Sequence, residues 1–210
     1  GSDTLKVESI DAEGLKDVDT VSVTVAAPAL TVTGTTVNEA SPYTLFSVSG
    51  KEGQSIKLSL ESTGTTAGHA TLGTDTGLTL EYFDGNTWVT YDPAANGGYV
   101  VMPSDTNGIP GENATLLVRV ANVQDTTNEG AETLKLVATN AAGTAANGTS
   151  TIKDDGTGDL FSANNTTGTP EAPGTNGLPA RLDDDRPLTV NSITVNEGSP
   201  YAVFTVSGAA

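Results

Sequence analysis

Short runs of alternating apolar and polar residues cover most of the chain, and helical periodicity is nearly absent. In the stretch "SIKLSLE", for example, Ile56, Leu58 and Leu60 fall on one face of an extended segment. Glycine, asparagine, aspartate and proline separate the runs, as they separate antiparallel strands that bury one face. The pattern therefore predicts an all-β protein built from antiparallel strands.

The predicted strands lie close together between residues 28 and 155. We interpret 30–37 and 43–48 as a first strand broken around Pro42, since proline is tolerated at kinks and sheet edges. The tripeptide "DGN" at 84–86 indicates a hairpin. About eight or nine strands in roughly 125 residues is the spacing of an immunoglobulin-like antiparallel β-sandwich. The remaining predicted strands are 55–61, 78–83, 87–91, 99–102, 114–120, 133–139 and 148–153.

One phrase occurs twice in the sequence. Residues 37–50 and 195–208 are identical at ten of fourteen positions, at a constant offset of 158 residues. A self-match at a fixed offset indicates a repeat architecture, so we expect the chain to be a slice of a longer repetitive protein. The expected division is the C-terminal hairpin of a preceding repeat (1–27), a complete sandwich (28–155), a connector (156–187) and the first strand of the next repeat (188–210).

The connector is rich in glycine, threonine, asparagine and proline, which predicts an irregular segment. It is longer than the roughly 12–15 residues above which loops are usually functional or disordered. Leu160, Phe161 and Leu178 are apolar enough to dock onto a core. We expect ordered ends and a mobile middle.

Composition narrows the function. The chain has 26 acidic and 9 basic residues, for a net charge of −17, which disfavours nucleic acid as a partner. No apolar stretch approaches the roughly 20 residues of a membrane span, so membrane insertion is not expected. The absence of cysteine and the single histidine disfavour disulfides and zinc.

The acidic residues are candidate ligands for a hard cation, because Ca²⁺ takes about six to eight oxygen ligands at loop positions. Sandwich loops converge at the ends of the sheets, so acids from different loops can meet there. The alternative is that these are solvated turn residues, for which aspartate is favoured anyway. The main candidates are Glu39, Asp125, Glu129, Glu132, Asp154 and Asp155. A second expected group is Asp183, Asp184 and Asp185 acting with Glu197 at the next joint. The acids near the start, Asp11, Glu13, Asp17 and Asp19, are weaker candidates.

The order "VNEA…DTTNEGAE…IKDD" resembles the Calx-beta module, a calcium-binding sandwich of sodium–calcium exchangers and integrin subunits. The resemblance covers about residues 28–160 and the terminal strand. It implies a Calx-beta-like fold and assigns the six main candidates to Ca²⁺ binding. The segment from "TIKDDGTGDLF" to the second copy of the phrase also resembles the joint between tandem repeats of giant bacterial adhesins.

These features together favour a structural extender repeat of a large secreted bacterial surface adhesin or matrix filament, rigidified by calcium. Its partners would be adjacent repeats or copies of itself. One alternative is a filament subunit that assembles by terminal-strand complementation. Another is a carbohydrate- or peptide-binding module that uses the aromatic hairpin at 82–91. An enzyme is not expected, since His69 has no nucleophile–acid context.

Overall fold

The computed structural model describes residues 2–24, 28–104 and 111–208. These residues form strands, turns and one short 3-10 turn at Ala95–Gly98, with no α-helix among them. Within the same ranges, no helix has the length and apolar character needed to cross a membrane. The strands are β1 (Ser2–Ile10), β2 (Lys16–Thr24), β3 (Thr31–Gly34), β4 (Thr36–Asn38), β5 (Tyr43–Lys51), β6 (Ser55–Ser62), β7 (Thr76–Phe83), β8 (Trp88–Thr90), β9 (Val100–Val101), β10 (Asn113–Asn122), β11 (Glu132–Asn140), β12 (Ala145–Lys153), β13 (Thr189–Val190) and β14 (Val206–Ser207).

Two five-stranded sheets make up the sandwich. One has the order β3-β5-β10-β7-β8 and the other the order β4-β12-β11-β6-β9. Their facing side chains form a single core of mostly aliphatic residues around Phe46, which is fully buried. Burial alternates along β11 as the period of a strand requires. The predicted all-β sandwich is confirmed at this level.

The chain changes sheets at Thr35, between β3 and β4. β3 pairs antiparallel with β5, whereas β4 pairs parallel with β12 in the other sheet. Two hydrogen bonds stabilise Thr35 at the crossing. Its amide donates to Ser150 Oγ and its hydroxyl donates to the Leu45 carbonyl, each at a distance of 2.9 Å. The prediction of one strand broken around Pro42 was wrong. Pro42 lies in the turn between β4 and β5, and the break comes where two strands must cross closely.

The connector folds back onto the sandwich. Asp159 lies beside β4. Its amide donates to the Thr36 carbonyl and its own carbonyl accepts from Asn38 N, each at a distance of 3.0 Å. Leu160 and Phe161, which follow it, are almost wholly buried, and Phe161 belongs to the main core. Burial of side chains of this size is worth about 1.5–3 kcal/mol each. The connector is therefore anchored to the sandwich from its first residues.

One carboxylate organises the middle of the connector through hydrogen bonds, and the mobility expected from its composition stays a prediction. Glu171 accepts hydrogen bonds from Ser162 N (2.7 Å), Asn165 Nδ2 (3.0 Å) and Asn176 Nδ2 (2.5 Å). Leu178 is buried as well. Side-chain bonding of this kind gives an irregular segment a fixed shape without strands or helices.

A buried arginine ties the connector to the outer face of the β5-β10-β7-β8 sheet. The Arg119 guanidinium stacks between the Tyr43 ring (3.8 Å) and the Trp88 ring (4.1 Å). It also pairs with Glu81 at 2.7 Å and donates to the Ala163 carbonyl of the connector at 2.8 Å. Burying this cation is tolerable because its charge is paired and its donors are used.

The N-terminal hairpin repeats the β11–β12 hairpin at an offset of 129 residues, which aligns Thr4 with Thr133. The strands pair in the same register, and the turns have the same hydrogen bonds. Asp11 N donates to the Leu15 carbonyl at 3.0 Å, as Asn140 N donates to that of Thr144 at 2.9 Å. The assignment of residues 1–27 to the last hairpin of a preceding repeat stays a prediction.

The crossing of β3 over β12 generates a stability prediction. A Cβ atom at Gly34 would lie 2.2 Å from the Thr149 carbonyl oxygen, which is backbone and cannot swing aside. We expect Gly34→Ala to lower the free energy of unfolding by about 1–3 kcal/mol, the usual cost of overpacking. The control is Gly77→Ala in β7, where the nearest atom would be 3.6 Å away, with an expected change within about 0.5 kcal/mol. Urea unfolding measures both, and equal losses would contradict the crossing geometry.

Candidate metal centre

Two groups of carboxylates lie at one end of the sandwich. Within each group, one oxygen from every member lies within 4.8 Å of the others. The groups share a small cavity lined by residues of both, including Glu39 and Glu132. The first group is Glu39, Asp154, Asp183 and Asp185, and the second is Asp75, Glu129 and Glu132.

Parallel pairing brings Glu39 and Asp154 together. Asn38 at the end of β4 lies opposite Lys153 at the end of β12, so the residues that follow both strands leave the sheet at the same edge. Glu39 N donates to the Lys153 carbonyl at 2.8 Å, which extends the ladder by one bond. Acids from different loops meet at one end of the sheets as the sequence predicts, and for Glu39 and Asp154 a parallel strand pair produces this convergence.

Asn38 holds the end of the connector at this edge. Its side chain is fully buried, and its Nδ2 group donates to the carbonyls of Lys153 (3.3 Å), Thr157 (3.2 Å) and Asp183 (3.0 Å). Its Oδ1 atom accepts from Asp183 N at 2.8 Å. Asp185 N also donates to Asp154 Oδ1 at 3.0 Å. The connector thus leaves the sandwich at Asp154 and returns to the same point about 30 residues later, forming a closed loop.

The loop at 123–131 is bonded to the same carboxylates. Asp125 N donates to Glu39 Oε1 at 2.9 Å, and Glu129 N donates to Asp154 Oδ2 at 3.0 Å. Glu132 starts β11 beside this loop. Backbone N–H groups therefore satisfy some of the carboxylate oxygens and fix their positions.

Asp75 was missed by the sequence reasoning. It ends the turn before β7, is 9% exposed, and accepts a hydrogen bond from Thr71 N at 2.5 Å. The available signal was an acidic residue in a glycine-containing turn directly before a strand. That signal is common in turns, and nothing in the sequence placed this turn at the same end as Glu132.

The charges in the two groups are poorly compensated. None of the seven carboxylates forms an ion pair within the described part of the chain. Asp183 Oδ2 and Asp185 Oδ2 are buried and have no hydrogen-bond partner. Since an unpaired buried anion is costly, the arrangement favours either proton uptake or a bound cation.

Burial and crowding raise the pKa of four of these carboxyl groups. Removal from water raises the pKa of Glu39 to about 7, opposed by the hydrogen bond from Asp125 N and reinforced by the charge of Asp154. Removal from water and the neighbouring Asp75 raise the pKa of Glu132 to about 7. Burial also raises the pKa of Glu129 and, together with the charge of Asp183, that of Asp185.

Four of the predicted ligands lie outside both groups, namely Asp125, Asp155, Asp184 and Glu197. Asp155 accepts from Thr157 and faces Lys153 at 3.9 Å. Asp184 forms an ion pair with Arg186 at 2.6 Å. Glu197 is exposed in the terminal segment.

The expected grouping of Asp183, Asp184 and Asp185 with Glu197 is not what the structure has. Asp183 and Asp185 lie instead with Glu39 and Asp154, because the connector folds back onto its own sandwich. Asp125 contributes its backbone amide. Of the early acids, Asp11 accepts from the amides of its own turn.

The donors of both groups are carboxylate oxygens, which are the ligands of hard cations such as Ca²⁺. His69 does not belong to either group; its Nδ1 atom lies 2.6 Å from Thr63 Oγ1. The four carboxylates of the first group could supply a large part of the six to eight oxygens that Ca²⁺ requires. Ca²⁺ at these residues stays a prediction.

The aromatic hairpin is engaged within the fold. Trp88 packs against Phe83 at 5.6 Å, lies under Arg119, and donates its indole N–H to the Asn165 carbonyl at 3.0 Å. The Tyr91 hydroxyl donates to the Gly98 carbonyl at 2.8 Å. These rings stabilise the sheet and the connector, which leaves less of them available as a platform for a ligand.

The raised pKa values predict how stability varies with pH in the metal-free protein. A carboxyl group with a raised folded-state pKa binds its proton more tightly when folded, so its stabilisation is complete below about pH 4.5 and is lost as the pH rises through about 7. Without metal, we expect the free energy of unfolding to fall from pH 4.5 to 7. Urea unfolding across this range tests it, and Glu39→Gln with Glu132→Gln should flatten the profile. A profile that rises with pH would contradict the assignment.

Comparison with known proteins does not assign the chain to a family. No model of a protein family matches the sequence, and no curated protein matches it significantly.

Proposed function

We propose that the chain is a structural extender repeat of a large secreted bacterial surface adhesin or matrix filament, rigidified by calcium. The observation that carries the proposal is the convergence of sandwich and connector carboxylates. Glu39 and Asp154 belong to the sandwich, whereas Asp183 and Asp185 end the connector, one residue before Arg186 leads into the next segment. One ion held by all four would fasten the point where the next repeat begins.

A bound calcium ion would hold the base of the connector loop against the sandwich. With an ion bound, the negative charges of both sides are neutralised and the loop is closed at its base. Without an ion, hydrogen bonds such as those of Asn38 and the buried apolar side chains of the connector are left to oppose the mutual repulsion of the carboxylates. Binding to the folded state alone also adds stability, by about 2.7 kcal/mol when the free ion is at 100 times its dissociation constant. An ion at this position therefore couples folding of the repeat to stiffness of the joint.

The two joints of the chain differ. In the 129-residue alignment, the positions of Asp154 and Asp155 correspond to Val25 and Ala26. The short segment between the N-terminal hairpin and β3 therefore has no equivalent of these two acids, and the proposed stiffening applies to the joint that follows the sandwich.

The strand arrangement supports an immunoglobulin-like, Calx-beta-like assignment within this proposal. A first strand divided between two sheets, with its second half parallel to the last strand, joins the two sheets at one edge. The acidic positions of the resembling motif include Glu39, Glu129, Glu132 and Asp154, all of which belong to the two carboxylate groups. Extracellular calcium modules bind the ion with dissociation constants of about 10⁻⁴–10⁻³ M, and this is the range that the proposal expects for the site.

A filament subunit that uses terminal-strand complementation is the second candidate. It is favoured by the large apolar side chains that β1, β2 and residues 188–208 leave exposed, among them Ile10 (60%) and Tyr201 (78%). Polymers that form as concentration rises would favour this candidate, whereas a monomer at high concentration would count against it.

A distance measurement tests the extender function. The chain lacks cysteine, so spin labels can be attached at Thr79→Cys on the sandwich and Ala202→Cys in the terminal segment, both exposed positions. We expect the distribution of label–label distances to be narrow in millimolar calcium and broad in EDTA, because the ion fastens the joint. Double electron–electron resonance measures the distribution.

Two variants separate the site from general ionic effects. Asp183→Asn with Asp185→Asn should give the broad distribution even in calcium, since both remove connector ligands. Glu13→Gln on the N-terminal hairpin changes the net charge without touching either carboxylate group and should behave as the parent chain. Equal widths in calcium and EDTA would refute calcium stiffening of the joint.

A further inference from the structure

Residues 188–208 reproduce the local structure of residues 30–50. Both segments place two antiparallel strands around the same turn, and the turn has the same side-chain hydrogen bond. Ser199 Oγ donates to the Tyr201 carbonyl at 2.9 Å, as Ser41 Oγ donates to that of Tyr43 at 2.8 Å. The strand registers match at each pair the two segments share: Thr189 with Ser207 as Thr31 with Ser49, and Val190 with Val206 as Val32 with Val48.

The terminal segment exposes the side chains that its counterpart buries. Phe204 is 59% exposed whereas Phe46 is 0% exposed, and Val190 is 59% exposed whereas Val32 is 9% exposed. Entry into a sandwich core would remove this apolar surface from water. The segment can therefore compete for the position of residues 30–50. It could do so in its own chain, to which the connector joins it, or in a second copy of the chain. Exchange of identical elements between molecules is a common hazard of this situation.

One difference between the two segments lies at the most crowded point of the sandwich. Gly34 corresponds to Ser192. A Cβ atom at Gly34 would lie 2.2 Å from the Thr149 carbonyl oxygen and 2.5 Å from Ser150 Oγ. On the facing strand, a Cβ at Gly148 would likewise lie 2.4 Å from the Val32 carbonyl oxygen. Two backbones approach each other directly here, so neither side can yield without breaking the ladder.

The neighbouring position adds a second mismatch. Thr35 corresponds to Ile193, and the Thr35 hydroxyl donates to the Leu45 carbonyl at 2.9 Å in a partly buried place. Isoleucine has no donor, so in the exchanged arrangement the carbonyl of Val203, which corresponds to Leu45, would lack this hydrogen bond. Both mismatches fall on the link between the two sheets, where the first strand must cross.

We infer that Ser192, supported by Ile193, prevents residues 188–208 from replacing residues 30–50 in this sandwich, whether in the same chain or in a second copy. The segment fits only a sandwich whose last strand leaves room for a side chain opposite Ser192. The two copies of the phrase therefore keep enough identity to fold alike and differ where exchange would occur. The inference depends on the geometry of the crossing and not on the proposed calcium function.

Disulfide trapping in the full chain tests this inference. The chain has no cysteine of its own, so a disulfide can form only between the cysteines that are introduced. Thr151 of β12 lies opposite Thr36, and the equivalent of Thr36 in the terminal segment is Thr194. A Thr151→Cys, Thr194→Cys pair therefore reports the terminal segment in the place of β4, and the parent chain measures the background from random oxidation. The Thr36→Cys, Thr151→Cys pair reports the native arrangement and serves as the positive control.

The trapping pair is introduced into the parent chain, into a chain with Ser192→Gly and Ile193→Thr, and into a chain with the control Ser207→Gly. Each is unfolded in urea, refolded and oxidised, and cross-linked species within one chain or between two are quantified by electrophoresis. We expect about tenfold more cross-linking in the Ser192→Gly, Ile193→Thr chain than in the other two. These substitutions lie in the exposed terminal segment, so the sandwich itself should fold in each case.

The other outcomes overturn the inference. Equal cross-linking in all three chains would mean that Ser192 does not hinder exchange. Absence of cross-linking in all three, with the Thr36→Cys, Thr151→Cys control intact, would mean that some other feature keeps the terminal segment out.

Discussion

The parallel pairing of β4 with β12 is the constraint on which the rest of the structure depends. It exists because the first strand crosses from one sheet to the other at Gly34 and Thr35, and at position 34 only glycine leaves room for two backbones. The pairing closes one edge of the sandwich and sends Glu39 and Asp154 out of the sheet side by side. The clustering of carboxylates at this end of the molecule therefore depends on the steric clearance at Gly34, a residue that carries no charge.

At that end, two effects act on the connector in opposite directions. Its apolar anchors, Leu160, Phe161 and Leu178, pull it onto the sandwich, and Arg119 and Glu171 fix the intervening segment. Its final residues, by contrast, bring two further carboxylates against two that are already buried. Hydrophobic burial thus imposes an electrostatic cost, which protons relieve at low pH and which a divalent cation would relieve at neutral pH. This balance is the physical basis for expecting a cation-dependent joint.

Alternation of apolar and polar residues was sufficient to predict the strands of the sandwich, because each strand buries one face. β11, predicted at 133–139, is Glu132–Asn140 in the structure. The sheet switch at Thr35 could not be predicted, since it depends on the clearance between strands more than 100 residues apart. Asp75 and the return of Asp183 and Asp185 were missed for a related reason: which loops share an end depends on sheet order. The sequence did place Glu39, Glu129, Glu132 and Asp154 among the candidates, since acids at strand ends are visible without knowing the topology.

Thermal unfolding in calcium, magnesium and EDTA tests the central claim most directly. For a domain of this size, one ion well above its dissociation constant should raise the melting temperature by about 5–10 °C. We expect such a rise in calcium, a smaller one in magnesium, which demands stricter octahedral geometry, and a reduced response to calcium in the Asp183→Asn, Asp185→Asn chain. Coincident melting curves in all three solutions would contradict the account and would make these carboxylates ordinary turn residues.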